Sequence, residues 1–207
     1  MKNGVAELLR HPALWRGGEA GAPDTVPTGF RALDACLPGG GWPLATLIEL
    51  LVPAAGVGEI RLLLPALKRL TTAAGVEPRW VAWLAPPHLP YAPALAVAGL
   101  DPARMLVVRP RAGSDRLWAM EQALRSGACA AVLGWTGNAD DRVLRRLKLA
   151  AEEGGTPAFL VRPIAHRSEG SPAALRVALA ARDFGLDVEI LKSRGGAPTR
   201  VERLPIH

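Results

Sequence analysis

Residues 48–67, IELLVPAAGVGEIRLLLPAL, have the outline of a phosphate-binding loop between an apolar strand and an apolar helix. A loop that binds a triphosphate reads G-x-x-x-x-G-K-[ST], because backbone N–H groups and the lysine hold the phosphates while the hydroxyl binds Mg²⁺. Gly56 and Gly58 keep part of this turn, but Glu59 stands in place of the lysine and Ile60 in place of the hydroxyl residue. We expect the Glu59 carboxylate to lie where phosphate oxygens would lie, and to repel them.

Two further positions that ATP hydrolysis needs are also changed. The segment APPHL, after the second predicted strand, contains Pro87 and no carboxylate that could activate a water molecule. Trp135 ends the fourth predicted strand, where an aspartate would bind magnesium. These four replacements predict that the chain is not an ATPase and uses no nucleotide cofactor.

Two alternatives to a lost nucleotide site stay open at this point. The glycines could form a plain strand-to-helix turn in a fold that never held a nucleotide. The chain could also be a divergent DNA-dependent ATPase with a displaced lysine such as Lys68. Lys68, however, lies about two to three turns into the predicted helix, too far from the loop unless the helix is distorted.

Other catalytic or metal-binding sets are not indicated by the sequence. The four histidines are scattered and none has the spacing of metal ligands: His11, His88, His166 and His207. Cys36 and Cys129 lie far apart in apolar surroundings, which favours two small buried residues over a disulfide or a metal site. We therefore predict no metal and no enzymatic activity.

The elements that must position these residues alternate regularly along the chain. Apolar strands are predicted at 44–52, 79–86, 104–110, 128–135 and 157–163, separated by helices at 58–75, 89–100, 114–127 and 140–155. Ser114 is a predicted N-cap, as is either Asn138 or Asp140. Such alternation predicts an α/β fold with a mostly parallel central sheet and helices on both faces. The segments 174–182 and 186–194 predict a C-terminal antiparallel hairpin.

Length and composition predict a single globular domain. The chain has 207 residues, of which 49% are hydrophobic and 21% charged, and its net charge is +6. Residues 1–25 are expected to form a helical arm and linker, residues 26–194 the core, and residues 195–207 a tail. Within the tail, TRVERLPIH either adds a short strand or is loose. No signal peptide or membrane-spanning run is visible, so we expect a cytoplasmic protein without membrane contact. The basic charge is compatible with a nucleic acid or an acidic partner.

The segment VPTGFRALDACLPGGGWPLATLIELLVPAAGVGEIRLLLPAL resembles the opening of the RecA ATPase core, where T-G-x-x-x-L-D precedes strand, phosphate loop and helix. Within that superfamily, LLRHPALWRG, PGGGWP and ELLVPAAGVGEIRLLLPAL make the chain most similar to the ImuA family. The cell-division inhibitor SulA is a shorter relative. The resemblance covers roughly residues 5–194 and implies a RecA-like core. It places the RecA lysine and threonine on Glu59 and Ile60, the catalytic glutamate near Pro87, and the magnesium aspartate on Trp135.

The resemblance implies a role in the SOS response to DNA damage. A member of the ImuA family would be a non-catalytic accessory protein of mutagenic translesion DNA synthesis. Its partner would be an ImuB-like, inactive Y-family polymerase homologue, in a complex with a DnaE-type error-prone polymerase. RecA, single-stranded DNA and a second copy of the chain are further partners to be tested. The alternative within the superfamily is a SulA-like division inhibitor that acts on FtsZ.

The same resemblance selects candidates for DNA binding, because segments after the fourth and fifth strands of RecA-like folds face single-stranded DNA. Here those segments are GNADDRVLRRLK and RPIAHRSEGSP. The basic candidates are Arg142, Arg145, Arg146, Lys148, Arg162, His166 and Arg167. The alternative is an ordinary solvated helix face, since Trp135 is the only aromatic side chain near them that could stack on bases.

The two ends of the chain are the candidates for partner binding. The arm offers apolar anchors, and the tail offers cations that could pair with an acidic partner. These candidates are Leu8, Leu9, Leu14, Trp15, Arg194, Arg200 and Arg203. Leu204 and Ile206 could add a strand to the edge of a partner's sheet. The alternatives are an arm that folds back on its own domain and a frayed tail.

Overall fold

The computed structural model describes residues 24–72, 79–111, 113–137 and 139–206. A small antiparallel sheet contains β1 (Thr25–Val26) and β2 (Trp42–Pro43). The large sheet contains β3 (Leu47–Val52), β4 (Trp80–Leu84), β5 (Met105–Val108), β6 (Cys129–Trp135), β7 (Ala158–Pro163), β8 (Leu175–Arg182), β9 (Gly185–Ser193) and β10 (Thr199–Leu204). The helices are α1 (Arg31–Asp34), α2 (Glu59–Thr72), α3 (Ala92–Val97), α4 (Gly113–Arg125) and α5 (Asp141–Glu153). Short 3₁₀ turns cover Pro38–Gly40, Pro102–Arg104 and Ile164–Ser168.

The large sheet is mostly parallel, which confirms the predicted α/β architecture. Its strand order is β10-β9-β8-β3-β7-β6-β4-β5, with parallel pairing from β8 to β5 and antiparallel pairing among β8, β9 and β10. The central strands are continuous apolar runs because helices cover both of their faces. On one face, Ile48 and Leu50 pack in a cluster with Leu63 of α2, and on the other Leu47 packs in a cluster with Leu144 of α5.

The segment before β3 folds as a compact turn against α2. The Thr28 N–H donates to the Asp34 carboxylate at 2.8 Å, and the Phe30 N–H donates to the Thr28 hydroxyl at 3.1 Å. Gly29 has φ +90°, and a Cβ at this position would lie 2.4 Å from the Cβ of Pro65. A glycine is therefore required here both by its backbone conformation and by its approach to α2.

The helix starts and the C-terminal end differ in part from the sequence expectations. Asp140 caps α5, since its carboxylate accepts from the Val143 N–H at 2.8 Å, whereas Asn138 lies outside the described residues. Ser114 is not an N-cap, because α4 already begins at Gly113. For the C-terminal tail, the sequence left open whether residues 199–207 add a short strand or are loose. Residues 199–204 form β10, which pairs with β9 and buries Leu204, so the core extends at least that far.

An ion triad lies inside the sheet. Glu49 on β3 is fully buried, and its two carboxylate oxygens accept from Arg162 Nη1 on β7 at 2.6 Å and from Arg176 Nε on β8 at 2.7 Å. Arg162 also donates to the Ala139 carbonyl at 3.0 Å and is only 1% exposed. This corrects the interpretation of Arg162 as a surface cation for DNA, because its guanidinium is held in the protein interior.

Candidate binding groove at the carboxyl ends of the strands

The loop between β3 and α2, residues 53–58, wraps around a carboxylate of its own chain. The Gly56 N–H donates to Glu59 Oε1 at 2.9 Å and to Oε2 at 3.1 Å, and the Gly58 N–H donates to Oε2 at 3.2 Å. Gly56 and Gly58 have φ of +88° and +120°, which turns their N–H groups toward the start of the helix. Glu59 is the first residue of α2 and is 2% exposed.

This arrangement fills the position at which such a loop would bind a phosphate. Successive backbone N–H groups at the start of a helix bind anions because the helix dipole and the N–H groups both favour negative charge. Here the anion is the side chain of Glu59. An incoming phosphate would have to displace that carboxylate, and the two groups would repel each other while both were present.

Lys68 does not replace the missing lysine. Its side chain lies beside the turn after α3, where a Cβ on Gly99 would approach Lys68 Nζ to 2.9 Å. It does not line the loop or the groove described below. The displaced-lysine alternative is therefore not supported by the position of this side chain.

A groove of about 600 Å³ opens beside the loop, at the carboxyl ends of β3, β4 and β6. The structure brings all of the predicted degenerate-site residues to its wall: Gly56, Gly58, Glu59, Ile60, Pro87 and Trp135. The remaining wall is largely apolar and comes from α2, from the proline-rich segment after β4, and from α3. In a parallel sheet, a ligand is expected at the carboxyl ends of the strands. Here that position offers mostly apolar surface in place of phosphate and metal ligands.

Two stacked indole rings line the groove. Trp135 at the end of β6 stacks on Trp83 of β4, with ring centroids 5.9 Å apart and planes inclined by 15°. The Nε1 donors of both rings are shielded from solvent and have no hydrogen-bond partner. Trp83 was not selected from the sequence, since it reads there as an ordinary core residue of a strand.

A basic cleft, defined by Arg109, Arg111 and Arg116, adjoins the groove and shares Pro86 and Pro87 with it. All three arginines are exposed, and no ion pair joins them to an acid within the described ranges. They follow β5, the third strand of the parallel set. Sequence inspection of the first, second and fourth strand ends missed them. The signal was present in VVRPRAGSDR, which places arginines directly after an apolar run.

The predicted DNA-binding cations of α5 are mostly engaged in ion pairs. Arg145 pairs with Asp141 at 2.6 Å, and Lys148 lies 3.7 Å from Glu152. Arg146 bonds to Glu121, which is nearly buried, and Arg142 is exposed with no ion pair in the described part of the chain. The exposed faces of these side chains leave contact with DNA phosphates as a prediction.

The second DNA segment lies next to the start of α5 and is also paired. His166 bonds to the Glu169 carboxylate at 2.9 Å and to the Gly137 carbonyl at 2.8 Å. Arg167 donates two hydrogen bonds to Glu189, at 2.7 and 2.5 Å. These bonds lower the pKa of Glu189 and raise that of Arg167.

The C-terminal partner candidates are used partly within the chain itself. Arg200 Nη2 donates to Asp187 at 2.5 Å, and the Arg203 N–H donates to the same carboxylate at 2.9 Å. The Arg203 N–H, followed by the side chains of Arg182 and Arg200, holds the pKa of Asp187 far below its usual range. Arg194 is exposed and lines a cleft beside Pro38.

The side chains of Leu204 and Ile206 pack on the domain itself. Leu204 is buried, and Ile206 lies so close to the loop at 53–58 that a Cβ on Gly58 would lie 2.4 Å from its Cδ1. Because β10 is the edge strand of the large sheet, addition of this strand to a partner's sheet stays a prediction. The arm candidates Leu8, Leu9, Leu14 and Trp15 lie outside the described residues.

Neither a metal site nor a membrane-spanning helix is found among the described residues. No cluster of three or more histidine, cysteine, aspartate or glutamate side chains is placed to hold a metal ion there. In the same part of the chain, no helix has both the length and the apolarity needed to cross a bilayer.

Cys129 is buried, and burial raises the pKa of its thiol.

Comparison with known proteins gives two kinds of match. A family profile described as "Cell division inhibitor SulA" matches residues 52–158. Protein ImuA of Caulobacter vibrioides is 31% identical over 210 residues, which cover 87% of this chain and 84% of that protein. SulA of Edwardsiella piscicida is 34% identical over 56% of this chain and 64% of its own length, and SulA of Klebsiella aerogenes is 33% identical over 52% and 62%. The chain thus spans about three-fifths of the length of these SulA proteins.

Among solved structures, SulA from Pseudomonas aeruginosa is similar, with 26% identity and a TM-score of 0.46 over 56% of this chain and 97% of that one. The profile match over half of the chain defines the wider group, the proteins related to SulA. Within that group the ImuA match extends over most of both chains, and the chain belongs to the ImuA family.

Proposed function

We propose that this chain is a non-catalytic accessory protein of SOS-induced mutagenic translesion DNA synthesis, and that it acts by binding an ImuB-like, inactive polymerase homologue. The observation that carries the proposal is the Glu59 carboxylate, which occupies the N–H groups of the loop where a nucleotide phosphate would bind. A domain of the ImuA family that has filled its own phosphate site is suited to binding a partner rather than to ATP-driven work.

A RecA-like core is part of the same proposal. It is supported by the order of elements, in which the Thr28–Asp34 turn is followed by the buried strand β3, the loop at 53–58 and the helix α2. It is also supported by the position of the groove at the carboxyl ends of parallel strands. In this proposal the RecA-like fold is retained, while the loss of the phosphate and metal ligands removes ATP hydrolysis.

The proposal is tested by two measurements on the full chain. First, calorimetry with ATP and Mg²⁺ and a phosphate-release assay with and without single-stranded DNA should show neither tight binding nor turnover. Second, the chain should co-purify with an ImuB-like protein and should be required for damage-induced mutation in the parent bacterium. DNA-stimulated ATP turnover that is lost in the Glu59→Ala protein would refute the non-catalytic role.

A SulA-like division inhibitor that acts on FtsZ is the second candidate function, favoured by the profile match over residues 52–158. The two candidates give different phenotypes. Overproduction of a division inhibitor should produce filamentous cells in the absence of DNA damage and should lower FtsZ assembly in vitro. A translesion accessory protein should leave cell length unchanged and alter only the frequency of damage-induced mutation.

A further inference from the structure

We propose that the groove beside the loop and the basic cleft of Arg109, Arg111 and Arg116 form one continuous docking surface for a protein segment that carries apolar side chains followed by acidic ones. The two features share Pro86 and Pro87, so a single extended or helical segment can contact both. The inference deepens the proposed function and rests on it for the existence of a protein partner.

The groove wall exposes three large apolar side chains side by side, whereas on a free surface such side chains usually occur singly. Leu89, Tyr91 and Val97 are 69%, 72% and 91% exposed, and all three line the groove. A rim of this kind is typical of interaction sites, because a partner's apolar side chains remove it from water. The apolar half of the proposed segment lies here.

The floor of the groove is apolar as well. The stacked rings of Trp83 and Trp135 line it. The Nε1 atoms of both rings are shielded from solvent, so a bound segment would contact ring carbons and not these donors. Such an aromatic floor suits apolar side chains of a partner.

The charge beside the groove selects an acidic partner. The three cleft arginines have no ion pair within the described residues, and the one buried carboxylate of the groove, Glu59, is turned into the loop. Asp115 precedes Arg116 but does not line the cleft, whose lining has three arginines and no acid. An acidic segment placed over the cleft therefore meets an excess of positive charge.

Single-stranded DNA fits these observations less well. Its backbone needs cations spread along the path of the strand. Here Arg109, Arg111 and Arg116 stand together at one end, and Arg61 is the one arginine in the lining of the groove itself. The loop N–H groups that would hold a phosphate are occupied by Glu59, and the exposed face of Trp135 is reduced by its stack with Trp83. Nucleic acid is retained as an outcome of the test.

The test uses short random peptides displayed on phage, selected against the full chain, followed by fluorescence anisotropy of the enriched peptides. The cleft variant changes Arg109, Arg111 and Arg116 to alanine, and the groove variant is Val97→Ser. The control variant changes Arg31, Arg69 and Arg125, which line neither the groove nor the cleft, to alanine and so removes the same charge elsewhere. Thermal melts of all variants establish that they are folded.

We expect enriched peptides to combine acidic residues with leucine, phenylalanine or tryptophan. Their affinity should fall about tenfold in the cleft variant, should fall in the groove variant, and should change by less than about twofold in the control. Enrichment of peptides without acidic residues, or no peptide whose binding depends on the cleft, would overturn the inference. Tighter binding of an oligothymidylate than of any peptide, lost in the cleft variant, would assign the surface to nucleic acid instead.

The same variants separate this inference from the proposed function. If an ImuB-like protein co-purifies equally with the wild type and with the cleft variant, the function stands and the docking site is wrong. If acidic peptides bind as described but no ImuB-like protein co-purifies with the wild type, the docking site stands and the function is wrong.

Discussion

Replacing Glu59 with alanine should weaken the fold and open the loop to anions. The substitution takes a charged acceptor away from the N–H groups of Gly56 and Gly58. Hydrogen bonds to charged groups contribute about 1.5–3 kcal/mol each when they are buried. The loop backbone is partly exposed, however, so water can replace part of this interaction. We therefore expect a loss of about 1–2 kcal/mol, the range found when a capping side chain is removed from a helix start.

The assay is a thermal or urea unfolding curve of the wild type and the Glu59→Ala protein, with and without inorganic phosphate at constant ionic strength. For a chain of this size each kcal/mol shifts Tm by about 2–4 °C, so the variant should melt about 2–8 °C below the wild type. Phosphate should raise Tm of the variant only, because it binds the vacated N–H groups of the folded state. ATP hydrolysis should stay absent, since Ile60, Pro87 and Trp135 are unchanged.

A matched control separates the loop from general effects of charge at a helix start. Asp141→Ala removes an acid from the first turn of α5, where it pairs only with exposed Arg145, and should cost less than about 0.5 kcal/mol. It should show no response to phosphate. A Glu59→Ala protein that is as stable as the wild type and does not respond to phosphate would refute the assignment of this carboxylate as the loop's own anion.

Three further outcomes follow from contacts described above. Asp187, whose pKa is lowered, stabilises the fold above its unfolded-state pKa near 3.9, and this contribution is lost as pH falls. The stability difference between wild type and Asp187→Asn in urea unfolding should therefore shrink below about pH 4, and a constant difference would contradict this. If α5 binds single-stranded DNA, replacing its arginines should flatten the salt dependence of binding, because fewer counterions are released; an unchanged slope in a folded variant would exclude the helix. Glu49→Leu should destabilise by about 3–5 kcal/mol, since it removes the buried carboxylate that two guanidinium groups share and leaves only the half-exposed Glu169, 3.6 Å from Arg162, as an acidic partner. A loss below about 1 kcal/mol in urea unfolding would contradict this.

The loop and the sheet could be predicted from the sequence because their signals are local. Gly56, Gly58 and Glu59 lie within four positions, so the meeting of carboxylate and N–H groups depends only on the turn itself. The alternation of apolar strands and helices likewise predicts parallel pairing, because a helix between two strands of one sheet brings the chain back in the same direction. The positions of Pro87 and Trp135 in one groove follow from their places at strand ends.

The features that escaped prediction depend on contacts between distant residues. Arg162 reads as a surface cation beside a proline, and its burial depends on Glu49, 113 positions away in the sequence. The basic tail with its prolines left a short strand and a loose end equally open in the sequence, and only its pairing with β9 and the packing of Ile206 on Gly58 decide for the strand. The cleft of Arg109 depends on the loop after β4, which brings Pro86 and Pro87 to the end of β5.

The buried triad also has an evolutionary consequence. Glu49, Arg162 and Arg176 lie on three adjacent strands. Loss of Glu49 removes the carboxylate that both guanidinium groups share, and loss of either arginine removes one of the two cations that bind the buried carboxylate. Replacement of all three by apolar residues of similar volume can be nearly neutral, whereas each single replacement is costly. A sequence with three apolar residues at these positions can thus be reached only through single variants of lower stability. Related sequences should therefore carry the three charges together or lack all three, and these positions should be among the slowest in the domain to diverge.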